Sequence, residues 1–346
     1  MAEPDYVIAG AGIIGLSLAL ELHRRGASVV VLEAGTPMAQ ASTAAAGMLA
    51  ADDPHNPIAL HALAKVSTSL YPGFLDHISD LSGVRIPFQT ASTLQAVSPD
   101  ADFLSDPKAL VPQLEPGSHR FSLLDERSVD PRQLAEALLM AVRNTRKIEG
   151  RGIDLRENTP LTRIAAGPAS VRVETPAGSL SAGYFVDCMG AWSPAPVAPR
   201  KGQMLAVTLP KSLPLKTVIR TEKIYIVPRT DGPNAGRAII GATVENAGYD
   251  LKVHPVDILT LNAQATALLP ELAEALFVES WAGLRPATRD DLPILGPSPR
   301  QPRYVLANGH FRNGILLAPA TAHVVAQLLM GENVDVDLAP FDPGRF

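Results

Sequence analysis

The feature that most constrains this chain is Gly10-Ala11-Gly12-Ile13-Ile14-Gly15, set between two apolar runs near its start. The preceding Tyr6–Ala9 has the composition of a buried strand, and an amphipathic helix is expected after the glycines, to about Arg25, with Leu16 and Leu20 on its apolar side. A second strand, Ser28-Val-Val-Val-Leu-Glu33, is the continuous β-branched run that a parallel strand covered on both faces requires. One βαβ unit is therefore complete by residue 33. In such a unit the glycines permit a tight turn, close approach of backbone to a pyrophosphate, and close packing of helix on strand. The start of the helix offers free N–H groups and the positive end of its dipole to phosphates. Glu33 ends the second strand, placed to accept hydrogen bonds from a ribose hydroxyl. An acid there would repel a ribose phosphate, so the unit suits NAD or FAD rather than NADP.

Composition bounds what surrounds this unit. A chain of 346 residues can bury a sizeable core, as one large domain or two interleaved ones. With 46% hydrophobic and 19% charged residues it is a globular chain rather than a disordered one. A net charge of -5 points away from nucleic acid and anionic membrane. The single cysteine, Cys188, leaves no internal disulfide and suits a reducing compartment. The apolar start from Val7 to Leu20 lacks a basic lead-in and is interrupted by glycines, unlike a secretion signal. No run reaches the roughly 20 uninterrupted apolar residues of a spanning helix. The expectation is a soluble, cytoplasmic protein.

After the first unit comes a small-residue stretch, Ala41 to Met48, then a helix expected from Pro57 to about Leu81 and a strand-like region over Phe88–Val97. Asp130, Pro131 and Gln133 announce another helix, to about Arg146, as cap, first-turn proline and partner in a capping box. Short alternating strands are expected near 153–155, 160–165 and 170–174. Tyr184–Asp187 has the look of a buried strand ending in a turn at Gly190. From Lys201 to Thr243 longer strands suggest an antiparallel sheet, with a hairpin at Asp231–Ala235. A helix over Asp257–Leu269 follows, then a strand at Arg303–Ala307, a glycine turn, and a helix from Gly314 to about Met330. The expected fold class is α/β, a Rossmann-like parallel sheet with a second, mixed or antiparallel sheet threaded into it. The nucleotide domain is expected to be discontinuous, over residues 1–80, 126–200 and 281–346, with a substrate domain over 81–125 and 201–280.

The C-terminal Gly309-His-Phe-Arg312-Asn-Gly314-Ile-Leu-Leu-Ala-Pro-Ala-Thr resembles the closing flavin motif of the glycine oxidases of thiamine biosynthesis, members of the D-amino acid oxidase family of FAD-dependent oxidoreductases. Ala44-Ala-Ala-Gly47-Met48-Leu, Ile224-Tyr225-Ile-Val-Pro-Arg229 and Trp281-Ala-Gly-Leu-Arg285-Pro are similar to that group too, in the same order. The resemblance implies the two-domain FAD-dependent amino acid oxidase fold. The cofactor residues that then follow are Gly10, Gly12, Ile14, Gly15, Glu33 and Ala34 in the first unit, and Ser42, Thr43, Ala45, Ala46, Gly47 and Met48 in the small-residue stretch. Leu161, Gly190, Trp192, Gly309, Arg312, Asn313, Gly314, Ile315 and Leu316 complete the set. The closing motif supports a flavin on physical grounds as well. Gly314 begins an apolar helix whose free N–H groups suit the negative charge that a reduced flavin carries around N1 and the C2 oxygen. The plain alternative is that Gly309 and Gly314 only shape a loop. The cysteine by which sarcosine oxidase relatives attach their flavin is missing here, so the FAD is expected to be noncovalent, and Cys188 to be an inert core residue.

For the substrate, Arg285 precedes Pro286, which holds its backbone extended, and its fork suits a bidentate pair with a carboxylate. A structural salt bridge to Asp290 or Asp291 is the alternative. In relatives the tyrosine at Tyr225 meets the same carboxylate, Arg312 lines the amine side, and Met48 walls the pocket; Tyr225 could instead be a sheet tyrosine with a locally satisfied hydroxyl. Lys223 stands where a relative carries a histidine and Val244 where it carries a methionine, which opens the site to amines larger than glycine. His310 lies in the flavin motif but is not expected to act as a base, and the histidines show no metal-ligand spacing, so no metal is expected. The implied activity is oxidative deamination of glycine or a related small amine, by hydride transfer to flavin, with O2 reduced to H2O2. The alternatives are a dehydrogenase with another acceptor, an oxidase for sarcosine or D-amino acids, and a flavin-binding module without catalysis. Relatives assemble as tetramers, so a homo-oligomer is the expected state.

Overall fold

The computed structural model describes residues 3–149 and 152–346. Two large sheets organise them. The first has six strands in the order Ile294–Ser298, Gln301–Asn308, Tyr184–Asp187, Tyr6–Ala9, Val29–Leu32 and Asp154–Arg156. All neighbours run parallel except the hairpin of the first two. Tyr6–Ala9 and Val29–Leu32 are buried at every position, which is why their sequence shows no polar alternation. Tyr6, Ile8, Val29 and Val31 face a core built with the helices Ile13–Arg24, His61–Ser82, Pro131–Glu149 and Gly314–Leu329. Val7, Ala9, Val30 and Leu32 face Val171, Val173 and Ala182 on the other side. Those last residues belong to a three-stranded antiparallel sheet of Arg163–Ala166, Val171–Thr175 and Gly178–Ala182.

The second large sheet has seven strands: Leu276–Ala287, Ala198–Thr208, Arg237–Gly241, Tyr225–Pro228, Val218–Arg220, Thr93–Val97 and Arg120–Leu124. Its pairings are antiparallel apart from Val218–Arg220 against Thr93–Val97. Helix Pro255–Leu268 covers one face, where Leu261, Ala265 and Leu268 meet Leu205, Ile226 and Ile240. On the opposite face Met204, Ala206, Val227 and Ile239 meet Ala46, with Ala44 and Met48 packed alongside. The small-residue stretch thus lies between the two sheets, and any ligand held there touches both.

Several local expectations change. Phe88–Val97 is two strands, Phe88–Thr90 and Thr93–Val97, in different sheets. The short strand Asp154–Arg156 joins the parallel sheet, and Gly178–Ala182 is an additional strand whose polar sequence hid it. Asp130 does cap, accepting from Arg132 N at 3.0 Å, but Gln133 closes no capping box; its Nε2 donates to Arg85 O at 2.9 Å. The strand that carries Arg285 runs on through Pro286 to Ala287, in keeping with the extended backbone expected before a proline.

Pro319 sits inside helix Gly314–Leu329. A proline removes the N–H that would reach the carbonyl four residues back, here that of Ile315. The neighbouring helix supplies what is missing. Tyr71 Oη donates to Ile315 O at 2.6 Å, and Ser67 Oγ donates to Leu316 O at 2.6 Å while accepting from Ala320 N at 3.2 Å. Two hydroxyls of His61–Ser82 therefore splice the ladder of a helix they do not belong to.

Candidate active site

A cavity of about 700 Å³ lies between the sheets, within the usual range for a ligand site. At one end are Gly10, Gly12 and Ile14 with Glu33 and Ala34. Gly10 has φ +99°, and a Cβ on it would stand 2.3 Å from Cys188 O. On Gly15 a Cβ would stand 2.0 Å from Gly10 O, so helix and turn can approach only as glycines. Helix Ile13–Arg24 has no cap of its own; Ser42 Oγ accepts from Ile13 N at 2.9 Å. The Glu33 carboxylate accepts from Ala11 N at 2.8 Å and Gly35 N at 2.9 Å, which fixes it at the cavity wall.

The middle of the cavity is backbone held from across the cleft. Trp281 Nε1 donates to Ala44 O at 3.0 Å, and Arg229 Nη2 to Ala46 O at 2.8 Å. Gly47 has φ +86° and would clash with Val129 O if it carried a side chain. Asn313, Gly314 and Ile315 bring the start of the C-terminal helix to the same wall. His310 lines it too, but burial pulls its pKa down to about 3, and Nε2 lies 3.0 Å from Thr321 Oγ1. It is neutral at ordinary pH and poorly suited to take up a proton.

At the far end stands Arg285. Its Nη1 donates to Thr243 O at 3.1 Å and reaches Lys201 O at 3.5 Å. No acid pairs with it among the described residues; Asp290 is bound by Arg345 instead. The guanidinium lies against Gly202, where a Cβ would come within 2.3 Å of Nη2. Tyr225 is beside it: burial pushes the hydroxyl pKa up, and the Arg285 charge draws it back. Gly241 makes room for that hydroxyl, since a Cβ there would stand 2.7 Å away. Arg312 Nη2 donates to Asn56 Oδ1 at 3.2 Å and lies 3.4 Å from Asp53 Oδ2. Burial works against the Asp53 charge, yet Arg220 and Arg312 hold its carboxyl below the usual range. Half-buried Met48 lines the cavity, as do Lys223 and Val244 at exposed positions.

Most of the expected cofactor residues line this one cavity: Ser42, Ala45, Ala46, Leu161, Gly190 and Trp192 join those already placed. Four do not. Gly15 packs behind the turn, and the Thr43 hydroxyl turns away to Met38 O at 3.0 Å. Gly309 abuts Thr288, and Leu316 is buried in the helical core. Sequence reasoning missed Asp53, Arg220, Gly202 and Gly241. The two glycines carried a signal, since isolated glycine inside a strand marks close approach by another group. Among the described residues no three His, Cys, Asp or Glu side chains are grouped to hold a metal, and no helix is long and apolar enough to cross a membrane.

The glycine turn, the anchored acid and the helix start fit a dinucleotide that runs toward Arg285. The family comparison names it: the model for the FAD dependent oxidoreductases matches residues 5–328. The chain belongs to that family. FAD is the cofactor of this oxidoreductase. It is similar to the bifunctional protein ThiO/ThiG of Trichormus variabilis, at 38% identity over 99% of the chain and 55% of that protein. The chain thus spans about half the length of the bifunctional relatives it matches. The glycine oxidase of Bacillus licheniformis is 31% identical over 96% of the chain and 95% of its own length. The solved glycine oxidase of Geobacillus kaustophilus superposes with a TM-score of 0.91, at 29% identity and with complete coverage of both chains.

Proposed function

We propose that this oxidoreductase deaminates glycine or a closely related small amine and uses oxygen as the final acceptor, as part of thiamine biosynthesis. The observation that carries the reading is Arg285, a cation in the cavity that donates to carbonyl oxygens and has no acid paired with it among the described residues. A half-buried cation without a counter-ion is open to one, and a substrate carboxylate would supply it in a charge-assisted pair. Tyr225 would donate to the same carboxylate. Together they would hold the α-carbon in one orientation, which contributes much of the acceleration in reactions of this kind. FAD held by the glycine turn, Glu33 and the 42–48 segment would supply the acceptor for the hydride of that carbon, leaving an imine for water to hydrolyse, with O2 as the final oxidant reduced to H2O2. Neutral His310 would leave the amine free to lose its proton to solvent before it is oxidised. Met48 and Arg312 would line the amine side.

The same reading makes Gly10, Gly12, Ile14, Glu33, Ala34 and the 42–48 segment the contacts of a noncovalent FAD, with Leu161 near the adenine. It divides the chain into an FAD-binding part, 1–80, 126–200 and 281–346, and a substrate part, 81–125 and 201–280. A larger amine such as sarcosine is a second reading, favoured by Val244, which is exposed at the cavity wall rather than filling it. The test is peroxide release by the yellow protein in air with glycine, sarcosine, D-alanine and proline. Peroxide with glycine or sarcosine supports the oxidase. Flavin bleaching without peroxide would make it a dehydrogenase, and no bleaching with any amine would overturn the substrate.

A further inference from the structure

Beside the Arg285–Tyr225 pair lies a group of charges that monocarboxylate chemistry does not use. Arg220 pairs directly with Tyr225 across antiparallel strands, so the two side chains leave the same face of the sheet. Their backbones are one strand spacing apart, ~4.8 Å. Arg220 lines the cavity with its side chain 6% exposed. Its Nε donates to Gln95 Oε1, and its Nη2 lies 3.0 Å from Glu126 Oε2. Even so, neither Nη of Arg220 nor that Glu126 oxygen has a partner in hydrogen-bond geometry among the described residues. Buried polar atoms left in this state are rare and call for an explanation. Arg312 and Arg220 share Asp53, at 3.4 and 3.8 Å, and Lys223 follows Arg220 in the same turn. Glu222, the other acid of that turn, lies 3.8 Å from His119. Burial pushes the Glu126 carboxyl up, whereas Arg220 and Arg312 hold Asp53 below the usual range, so Glu126 is the less firmly charged of the two acids facing Arg220.

Resting on the reading that Arg285 holds the substrate carboxylate, we infer that Arg220, with Arg312 and Lys223, forms a second anion site, and that the preferred substrates are amines carrying a second carboxylate. The distal carboxylate completes the hydrogen bonds of Arg220, and Glu126 is the group that competes with it. Glycine occupies only the first position.

The test uses the FAD-loaded protein and two ligands that cannot be oxidised: methoxyacetate, with one carboxylate, and oxydiacetate, with two. Binding is followed by flavin absorbance and by calorimetry. Oxydiacetate is expected to bind about thirtyfold more tightly, the scale of one desolvated charge pair. Arg220→Gln should bring that ratio close to one, and Glu126→Gln should widen it by removing the competitor. Lys223→Gln should narrow it by up to about fivefold, as exposed pairs do. Should Arg220→Gln fail to fold, the other two still decide, because Lys223 is exposed and Glu126→Gln keeps its shape. A wild-type ratio within threefold of one, or a ratio unmoved by both Glu126→Gln and Lys223→Gln, overturns the second site while leaving the function intact. Binding of neither ligand overturns both.

Discussion

The two ends of the cavity are made by different means. The dinucleotide end is backbone: Gly10, Gly12 and Gly15 in one turn, with Glu33 tied to Ala11 N and Gly35 N. All of it comes from one βαβ unit. The end proposed for the substrate is side chains brought from distant strands: Arg220 and Tyr225 from two adjacent strands, Arg285 from the edge strand, Arg312 from the C-terminal motif, Asp53 from a loop. Backbone geometry is local and tolerates no added atom. Side-chain geometry is assembled by the tertiary fold, and individual members can be removed with the frame intact.

The sharpest way to break that contrast is Arg285→Met, which should lower kcat/KM for glycine by about a thousandfold, the scale of truncating one partner of a buried charge pair. FAD should remain bound, as its visible spectrum would show; loss of the flavin would mean that the two ends are not separable. The opposite lesion, Gly15→Ala, pushes a methyl to 2.0 Å from Gly10 O. It should weaken FAD by about a hundredfold or more in a fluorescence titration, the scale of a severe steric mutation. Tyr225→Phe should be gentler, about ten- to thirtyfold in kcat/KM for one hydrogen bond to a charged group, with the melting temperature little changed.

His310 makes the stability of the whole chain depend on pH. Its pKa is about 3 when folded and near 6.5 when unfolded, so between these values the unfolded chain binds more protons. Stability should therefore fall as pH drops from 6.5 toward 3, by up to about 1.4 kcal/mol per unit. Denaturant midpoints for His310→Gln should show a shallower slope in that window. The smallest effect belongs to Ser67→Ala, about 1 kcal/mol of stability for the hydroxyl that splices the helix around Pro319, measured by urea unfolding.

The same contrast explains what the sequence could show. The glycine turn, the β-branched strands and Glu33 are near neighbours in the chain, so spacing alone was enough to expect them at one place, and they line one cavity. Arg285 was marked by the proline after it and by motif resemblance, but its approach to Tyr225 was hidden, because it depends on sheet register and on the gaps left by Gly202 and Gly241. Arg220 and Asp53 gave no sign at all. They lie far apart in the chain, and nothing in either neighbourhood marks a buried pair. Gln133 misled for a related reason: its spacing from Asp130 suits a capping box, but the Arg85 carbonyl from another segment takes its amide.

The bonds from Arg229 to Ala46 O and from Trp281 to Ala44 O carry a consequence for order of assembly. Trp281 shares the strand of Arg285, and Arg229 directly follows the strand of Tyr225, so the same segments also grip the backbone that walls the cofactor space. A ligand that tightens that backbone tightens the substrate strands with it, and the coupling is reciprocal. Cofactor loading is then the step that finishes the substrate pocket, and substrate in turn slows the departure of the cofactor.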